Sequence, residues 1–294
     1  MKAIILAGGS GSRLYPLTRV SSKQLQAVFD KPMIYYPLTM LIAAGVRQVC
    51  LITTPQDLPR FRQLLGEGRQ WGIDIEYRVQ LKPEGIGQAF AIAEDFIGTE
   101  NVVLILGDNI FSGGNDFPRA VADFKSGATI FAYHVKNPSA YGVVEFNGRG
   151  EPLSLEEKPR EPRSNYAVPG AYIYDARVVS LAKQQQPSAR GELEITDINR
   201  AYMSMGQLRV HRLSRGFAWL DAGTSSSLHE ASAYIEAIER RQGVKIGCPE
   251  EAALVRGFLG LTEFEAMVDT LPLCEYSDYL KMVAMETRRL RGLA

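Results

Sequence analysis

Two aspartates stand directly behind apolar runs: Val102-Val-Leu-Ile-Leu106 ends in Gly107-Asp108-Asn109, and Gly216-Phe-Ala-Trp-Leu220 ends in Asp221-Ala222-Gly223-Thr224. Runs of this kind read as buried strands, and open α/β sheets collect their ligands at the carboxyl ends of the strands. Carboxylates there are hard oxygen donors of the kind Mg²⁺ takes beside substrate phosphates. Singly, each aspartate reads as a turn or helix cap. A third strand end favours the metal reading for the pair. Lys2-Ala-Ile-Ile-Leu-Ala7 runs into Gly8-Gly9-Ser10-Gly11-Ser12-Arg13-Leu14. The glycines let the backbone turn tightly with its N–H groups exposed, so the turn can wrap phosphate oxygens, and Arg13 adds a planar cationic fork. It is not a Walker loop, because no Gly-Lys-Ser/Thr follows. Nor is it the dinucleotide fingerprint, because Arg13 and Leu14 occupy the third-glycine region.

Lysines supply the remaining charge. Lys23 follows the turn in Ser22-Lys23-Gln24-Leu25, and Lys158 ends a strand-like run in Leu155-Glu156-Glu157-Lys158-Pro159. A Glu-Lys pair before proline is either a solvated strand end or a carboxylate for sugar hydroxyls beside an ammonium for a sugar phosphate.

The elements that must position these groups alternate in type. Strands are expected at Ala3–Ala7, Gln48–Thr53, Ile75–Val79, Val102–Leu106 and Ala128–Val135, with helices at Met33–Ala44, Leu58–Leu65, Gly87–Phe96 and Phe117–Phe124. That rhythm implies a parallel sheet covered on both faces with right-handed crossovers. Shorter strands follow at Gly142–Phe146, Leu153–Glu157, Ala171–Tyr174 and Leu208–Leu213, suggesting an antiparallel lobe inserted into the sheet or lying beside it. After Gly223 the pattern turns helical, over Ser226–Arg241 and Glu250–Arg291.

Composition bounds the function. The 33 basic and 33 acidic residues cancel, which argues against nucleic acid or an anionic membrane as a partner. The 46% hydrophobic content of 294 residues supports one large α/β domain, or a domain with an appendage. Cys50, Cys248 and Cys274 are odd in number and far apart, which suits a reducing compartment. No apolar run reaches about 18 residues and no leader pattern precedes the first strand, so the expected location is the cytoplasm.

The ordered set Gly8-Gly9-Ser-Gly-Ser-Arg13-Leu14, Lys23-Gln24-Leu, Asp30-Lys-Pro-Met-Ile, Gly107-Asp108-Asn109, Tyr141-Gly142-Val-Val, Glu156-Glu157-Lys158-Pro159 and Leu220-Asp221-Ala-Gly-Thr224 resembles the sugar-1-phosphate nucleotidylyltransferases. Within them it is most similar to those that join dTTP to glucose-1-phosphate. Similar segments extend through Tyr35-Tyr36-Pro37-Leu38, Thr54-Pro55-Gln56-Asp57, Gly191-Glu-Leu-Glu-Ile-Thr196-Asp197 and Cys248-Pro249-Glu250-Glu251.

The resemblance implies a Rossmann-like α/β nucleotidyltransferase core with a mixed central sheet and an inserted sugar-binding lobe over residues 1–228, and a helical C-terminal section packed on it over 229–294. It implies transfer of the thymidylyl group of dTTP to glucose-1-phosphate, giving dTDP-glucose and pyrophosphate for dTDP-rhamnose or other deoxysugar synthesis. The turn (Gly8, Gly9, Gly11, Ser12, Arg13) and Lys23 would hold the triphosphate. Gln24 and Gln80 would face the thymine, with Leu6, Gly8, Pro83 and Gly85 around the nucleoside. Asn109, Tyr141, Gly142, Glu157 and Val168 would line the glucose pocket, Lys158 would meet the sugar phosphate, and Asp108 and Asp221 would hold Mg²⁺. A homotetramer is implied, with feedback inhibition by a dTDP-sugar at a subunit interface. The sequence departs from the family pattern at Gln26-Ala27, where a looser loop around Lys23 is expected, at Ala222, and at Pro169, which removes a backbone donor beside the sugar pocket.

Two other readings stay open. One is the same chemistry with UTP, which differs from dTTP by one methyl and one hydroxyl, or with another sugar phosphate. The other is a non-catalytic nucleotide-sugar sensor, which should have lost Arg13, Lys158, Asp108 or Asp221; all four are present.

Overall fold

The computed structural model describes residues 1–9 and 11–292; Ser10, inside the expected phosphate turn, lies outside the described residues. The strands are β1 (Lys2–Ala7), β2 (Ala27–Val28), β3 (Lys31–Pro32), β4 (Gln48–Thr53), β5 (Asp74–Val79), β6 (Val102–Leu106), β7 (Asn109–Ser112), β8 (Ala128–His134), β9 (Gly142–Phe146), β10 (Pro152–Glu157), β11 (Tyr166–Val168), β12 (Ala171–Tyr174), β13 (Leu208–Arg212) and β14 (Ala218–Asp221).

Among the described residues ten of these form one mixed sheet, ordered β10-β9-β11-β8-β12-β6-β1-β4-β5 with β13 on the other edge of β8. β1, β4, β5 and β6 run parallel, joined by helices as the alternating pattern requires. Beyond β6 the sheet turns antiparallel through β12, β8, β11, β9 and β10. The expected antiparallel lobe is therefore a continuation of the same sheet. β11 and β12 both pair with β8 but in registers two residues apart, so Val168-Pro169-Gly170 forms a jog between them. Pro169 sits where no ladder N–H is needed.

The central strands are apolar on both faces because each face is covered. Ile5, Leu51, Val103 and Ile105 pack with Leu38, Leu41, Phe61 and Phe264 on one side. Ile4, Ile52, Leu104 and Ile130 pack with Phe90, Phe96, Ile198 and Tyr202 on the other. Each such side chain, fully buried, contributes about 1.5–3 kcal/mol, which is why a short run such as Lys2–Ala7 needs no polar alternation to be a strand.

Two helical expectations are corrected. The Gly87–Phe96 helix is broken into Gln88–Ile92 and Glu94–Ile97 at Ala93, whose φ of −101° and ψ of 16° leave the helical well. Glu250–Arg291 is three helices, Pro249–Val255, Leu261–Asp269 and Glu275–Leu290, the first stopped where Gly257 takes a φ of 69°. The first packs against the Tyr35–Ala43 helix and the other two pack on it and on each other, pinned by Glu250, which accepts from Trp71 Nε1 at 2.9 Å and Tyr276 Oη at 2.6 Å.

The Ser225–Gln242 helix starts in a Thr224/Ser227 capping box and lies on the β2–β3 hairpin. Ala222, Ala231 and Ile235 meet Val28, Met33, Tyr36 and Ile110 there, and Lys31, Asp30, Glu239 and Lys245 form an ion network beside them. Ala222 is fully buried in that cluster, so its departure from the family pattern is a packing feature. No described helix is long and apolar enough to cross a membrane.

Candidate active site

Behind β6 the chain does not stop at a turn. It continues as β7, which pairs antiparallel with β14 so that Asn109 lies opposite Asp221. Ala222 N–H donates to the Asp108 carbonyl at 3.2 Å, closing the end of this ladder. The two-stranded ribbon is what brings two distant aspartates to one point at the end of the sheet. The sequence pattern marked each aspartate but not the pairing, because Asn109–Ser112 is too short to show a period.

Asp108 and Asp221 open into a cavity of about 330 Å³. It is lined by Leu6, Gly9, Arg13, Lys23, Gln24, Asn109, Tyr141, Gly142, Glu157, Lys158 and Val168 of the expected site residues. Gly8, Gly11, Ser12, Gln80, Pro83 and Gly85 do not line it. Ile86, Leu106, Ala140, Gly170, Tyr172, Glu192, Ile195, Thr196 and Trp219 line it without having been assigned a role from the sequence. Of these, only the Gly191–Asp197 segment had a signal, as a family-like stretch of unassigned purpose.

Lys23 Nζ is bonded to Asp108 Oδ2, so the ammonium expected on the triphosphate stands on one of the two carboxylates. Burial pushes the Asp108 carboxyl up, but the Lys23 charge and hydrogen bond, with the Asn109 amide, outweigh it and hold the group below the usual carboxylate range. Asp221 moves the other way: burial and then the Asp108 charge push it up, against Lys23, Arg13 and the Gly223 N–H. Gly223 leaves room for this arrangement, since a β-carbon there would fall 3.0 Å from both Arg13 Nη2 and Asp221 Oδ1.

Asn109 ties the carboxylates to the sugar side. Its Oδ1 accepts from Trp219 Nε1 at 2.7 Å and Gly170 N–H at 3.0 Å, and its Nδ2 donates to Asp108 Oδ1 at 3.1 Å. Trp219 in turn packs edge-on against Tyr141 at 4.9 Å. Glu157 lies opposite Gly142 in the β9–β10 ladder, and its Oε2 accepts from Thr196 Oγ1 at 2.5 Å. The next residue, Lys158, is held at a φ of 43° by a backbone bond to Tyr141, which ends the strand and leaves its ammonium 3.9 Å from Glu157. A non-glycine residue at positive φ is uncommon.

On the opposite side Gln24 is buried and its Oε1 has no partner. Gln80 is buried as well, and a β-carbon on Gly8 would fall 2.1 Å from its Oε1; glycine is required for that approach. Gly85 packs on the Leu193 backbone, not around the cavity: a β-carbon there would lie 2.4 Å from Leu193 N, and its φ is 116°. Gln26, expected to loosen the loop, bonds through its side chain to Leu17 O at 3.2 Å and Ser21 Oγ at 2.9 Å. It ties the Lys23 turn to the segment before it.

Among the described residues no cluster of three or more His, Cys, Asp or Glu could by itself hold a metal. The donor set nevertheless fits a hard divalent cation bound in part by substrate: two carboxylates, oxygen donors only, one of them raised by burial and by the charge of the other. A cation between them would relieve that repulsion, and phosphate oxygens and water would complete its shell.

A nucleotidyl transferase family model matches residues 2–238. A Neisseria meningitidis glucose-1-phosphate thymidylyltransferase is 52% identical over 282 residues, spanning 95% of this chain and 98% of its own. The Mycobacterium tuberculosis protein of that name (strain H37Rv) is 52% identical over 283 residues, spanning 95% and 98%. Among solved structures, a Bacillus anthracis protein described under the same name and crystallised with a sucrose superposes with a TM-score of 0.74 at 44% identity, covering 80% of this chain and 94% of that one. A UDP-glucose pyrophosphorylase bound to UDP-glucose shares the fold, with a TM-score of 0.71 at 22% identity, 82% of this chain and 99% of that chain being covered. With the aspartate pair, the cationic turn and the glutamines all at the ends of one mixed sheet, this chain belongs to the nucleotidyl transferase family, among the glucose-1-phosphate thymidylyltransferases.

Proposed function

We propose that this chain transfers the thymidylyl group of dTTP to glucose-1-phosphate in the cavity at the ends of β1 and β6. The observation that carries the reading is the convergence there of Arg13, Lys23 and Lys158 with the Asp108–Asp221 pair and the unpartnered Gln24 oxygen. The nucleophile, a phosphate oxygen of the sugar phosphate, is already an anion, so no general base is required. It attacks the α-phosphorus in line, and pyrophosphate leaves from the opposite side. What opposes the step is repulsion between two polyanions and charge build-up on the transferring phosphoryl group. Positioning and cationic stabilisation are therefore the levers.

Arg13 and Lys23 orient the triphosphate, Lys158 holds the attacking phosphate, and Glu157 with the Tyr141–Gly142 strand start receives the sugar hydroxyls. Removing one such stabilising group from a dry site costs about 10²–10³ in rate. Asp108 and Asp221 would hold Mg²⁺, which supplies Lewis-acid stabilisation of the phosphoryl oxygens when bound. The same family membership supports a cytoplasmic homotetramer under feedback inhibition by a dTDP-sugar.

A product assay across dTTP, dUTP, UTP and CTP with glucose-, galactose- and mannose-1-phosphate tests the reading. The expected result is dTDP-glucose as the fastest product. A faster product from UTP, or from another sugar phosphate, would replace the substrate assignment; binding without any product would make the protein a sensor.

A further inference from the structure

A one-way chain of hydrogen bonds runs behind Gln80. Gln88 Nε2 donates to Glu84 Oε2 at 2.8 Å. A carboxylate only accepts, so this bond settles which end of the Gln88 amide faces Glu84. Gln88 Oε1 then accepts from the Glu84 backbone N–H at 3.2 Å and from Gln80 Nε2 at 2.6 Å. Two acceptor-seeking donors and one donor-seeking carboxylate thus agree on a single orientation, and turning the Gln88 amide over would break all three bonds. Gln80 must give its NH₂ to Gln88, which leaves its Oε1 at the far end, over Gly8. Its backbone is fixed too, through the N–H donated to Thr53 O at 2.8 Å. Gln88 and Glu84 themselves do not line the cavity.

We propose that Gln88, oriented by Glu84, is a positioning residue that holds Gln80 with its carbonyl oxygen toward the base, so that the pocket offers acceptors and selects pyrimidines that carry an N3–H. Gln24 Oε1, buried and without a partner on the cavity wall, is a second acceptor of the same sign. Thymine and uracil present N3–H as a donor. Cytosine presents a bare N3 acceptor, which would face the Gln80 oxygen lone pair to lone pair. Were Gln80 reversed, with NH₂ outward, the preference at N3 would invert. Glu84, remote from the base, therefore sets the sign of base recognition through two amides. The inference rests on the base-facing role that the family resemblance implies for Gln80, which lies over Gly8 and does not itself line the cavity.

The test compares kcat/KM for dUTP and dCTP, which share a sugar and lack the methyl group, in the full-length enzyme with glucose-1-phosphate. Gln80→Ala and Gln88→Leu should each shrink the dUTP-to-dCTP ratio by about tenfold or more. For Gln88→Leu the loss should fall on KM for dUTP, leaving kcat at saturating dTTP within about threefold of wild type. The double variant should be no worse than Gln80→Ala, since the two residues act in series. Rescue comes from the reciprocal pair Glu84→Gln with Gln88→Glu. There one carboxylate oxygen of the new residue 88 accepts from Gln80 and the other from the new amide at 84, so the ratio should return to near wild type. If Gln80→Ala leaves the ratio unchanged, the base-facing role itself is wrong and the inference falls with it. If Gln80→Ala collapses the ratio while Gln88→Leu keeps it, the relay alone is wrong. Should Gln88→Leu fail to fold, the reciprocal pair decides: a ratio there no better than in Gln80→Ala overturns the proposal.

Discussion

Asn109→Ala removes three hydrogen bonds from one buried point, and the loss can be worked from the partners left behind. Trp219 Nε1–H and Gly170 N–H would both lose their acceptor, the side chain of Asn109 being 3% exposed as a residue and the Trp219 residue 8%. A buried donor left unsatisfied costs about 1–3 kcal/mol, so the pair costs about 2–6 kcal/mol. Water entering the space vacated by the amide would satisfy one donor in part, which brings the expected loss to about 2–4 kcal/mol. Against a total stability of about 5–15 kcal/mol this is large and easily read. Urea unfolding followed by circular dichroism should show a lower midpoint with an unchanged slope. Asn109→Asp separates the two jobs of the residue. It keeps oxygens for both donors, so stability should fall less, but it sets a second carboxylate against Asp108 and should depress activity at least as far as the alanine variant. An unfolding free energy for Asn109→Ala within about 0.5 kcal/mol of wild type, the range of ordinary surface changes, would refute the bonding scheme.

Lys158→Ala should weaken glucose-1-phosphate binding by about tenfold or more while leaving dTTP binding within about twofold, as read by calorimetric titration of each substrate; equal loss for both would contradict the division between Lys23 and Lys158. The Asp30 carboxyl is raised by burial, but hydrogen bonds and charge from Lys245 and Lys31 hold it below its ordinary value of 3.8 overall. A depressed carboxylate contributes stability that is present above the unfolded value and is lost as the pH falls through the folded one. Asp30→Asn should therefore destabilise the protein near pH 6, and the gap from wild type should close as the pH drops below about 3.8. A gap independent of pH between 6 and 3 would mean that the ion network adds nothing through Asp30.

The central strands were legible because burial on both faces leaves a plain apolar run: Gln48–Thr53, Val102–Leu106 and Ala171–Tyr174 begin and end where the sequence pattern places them, as does the half-buried Gly142–Phe146. What the pattern did not show was pairing. The β7–β14 ribbon, which sets Asp108 beside Asp221, depends on a tertiary ladder between four-residue segments, and the continuity of the antiparallel strands with the parallel ones depends on β12 joining β6. The long C-terminal helical stretch carried its own stop signals in Gly257 and Leu271-Pro272, and the Ile195–Ser204 helix showed Ile195, Ile198 and Tyr202 at helical spacing. At the site, charged groups behind strands were recognisable one by one. Trp219, Tyr172 and Ile86 were not, because aromatic and apolar wall residues look the same in a sequence whether they face a core or a cavity. Gln88 was equally hidden, since its part lies in which atoms of two amides meet.

The rate of dTDP-glucose formation by Asp221→Asn relative to wild type, followed by ³¹P NMR at saturating Mg²⁺ with both substrates, tests the central claim most directly. Wild type should convert dTTP and glucose-1-phosphate into equal amounts of dTDP-glucose and pyrophosphate. Asp221→Asn, still folded by circular dichroism, should be slower by about 10²-fold or more, because the aspartate pair would no longer hold the cation that offsets the charge of the transferring phosphoryl group. A folded Asp221→Asn within about threefold of wild type would contradict the assignment of chemistry to this cavity.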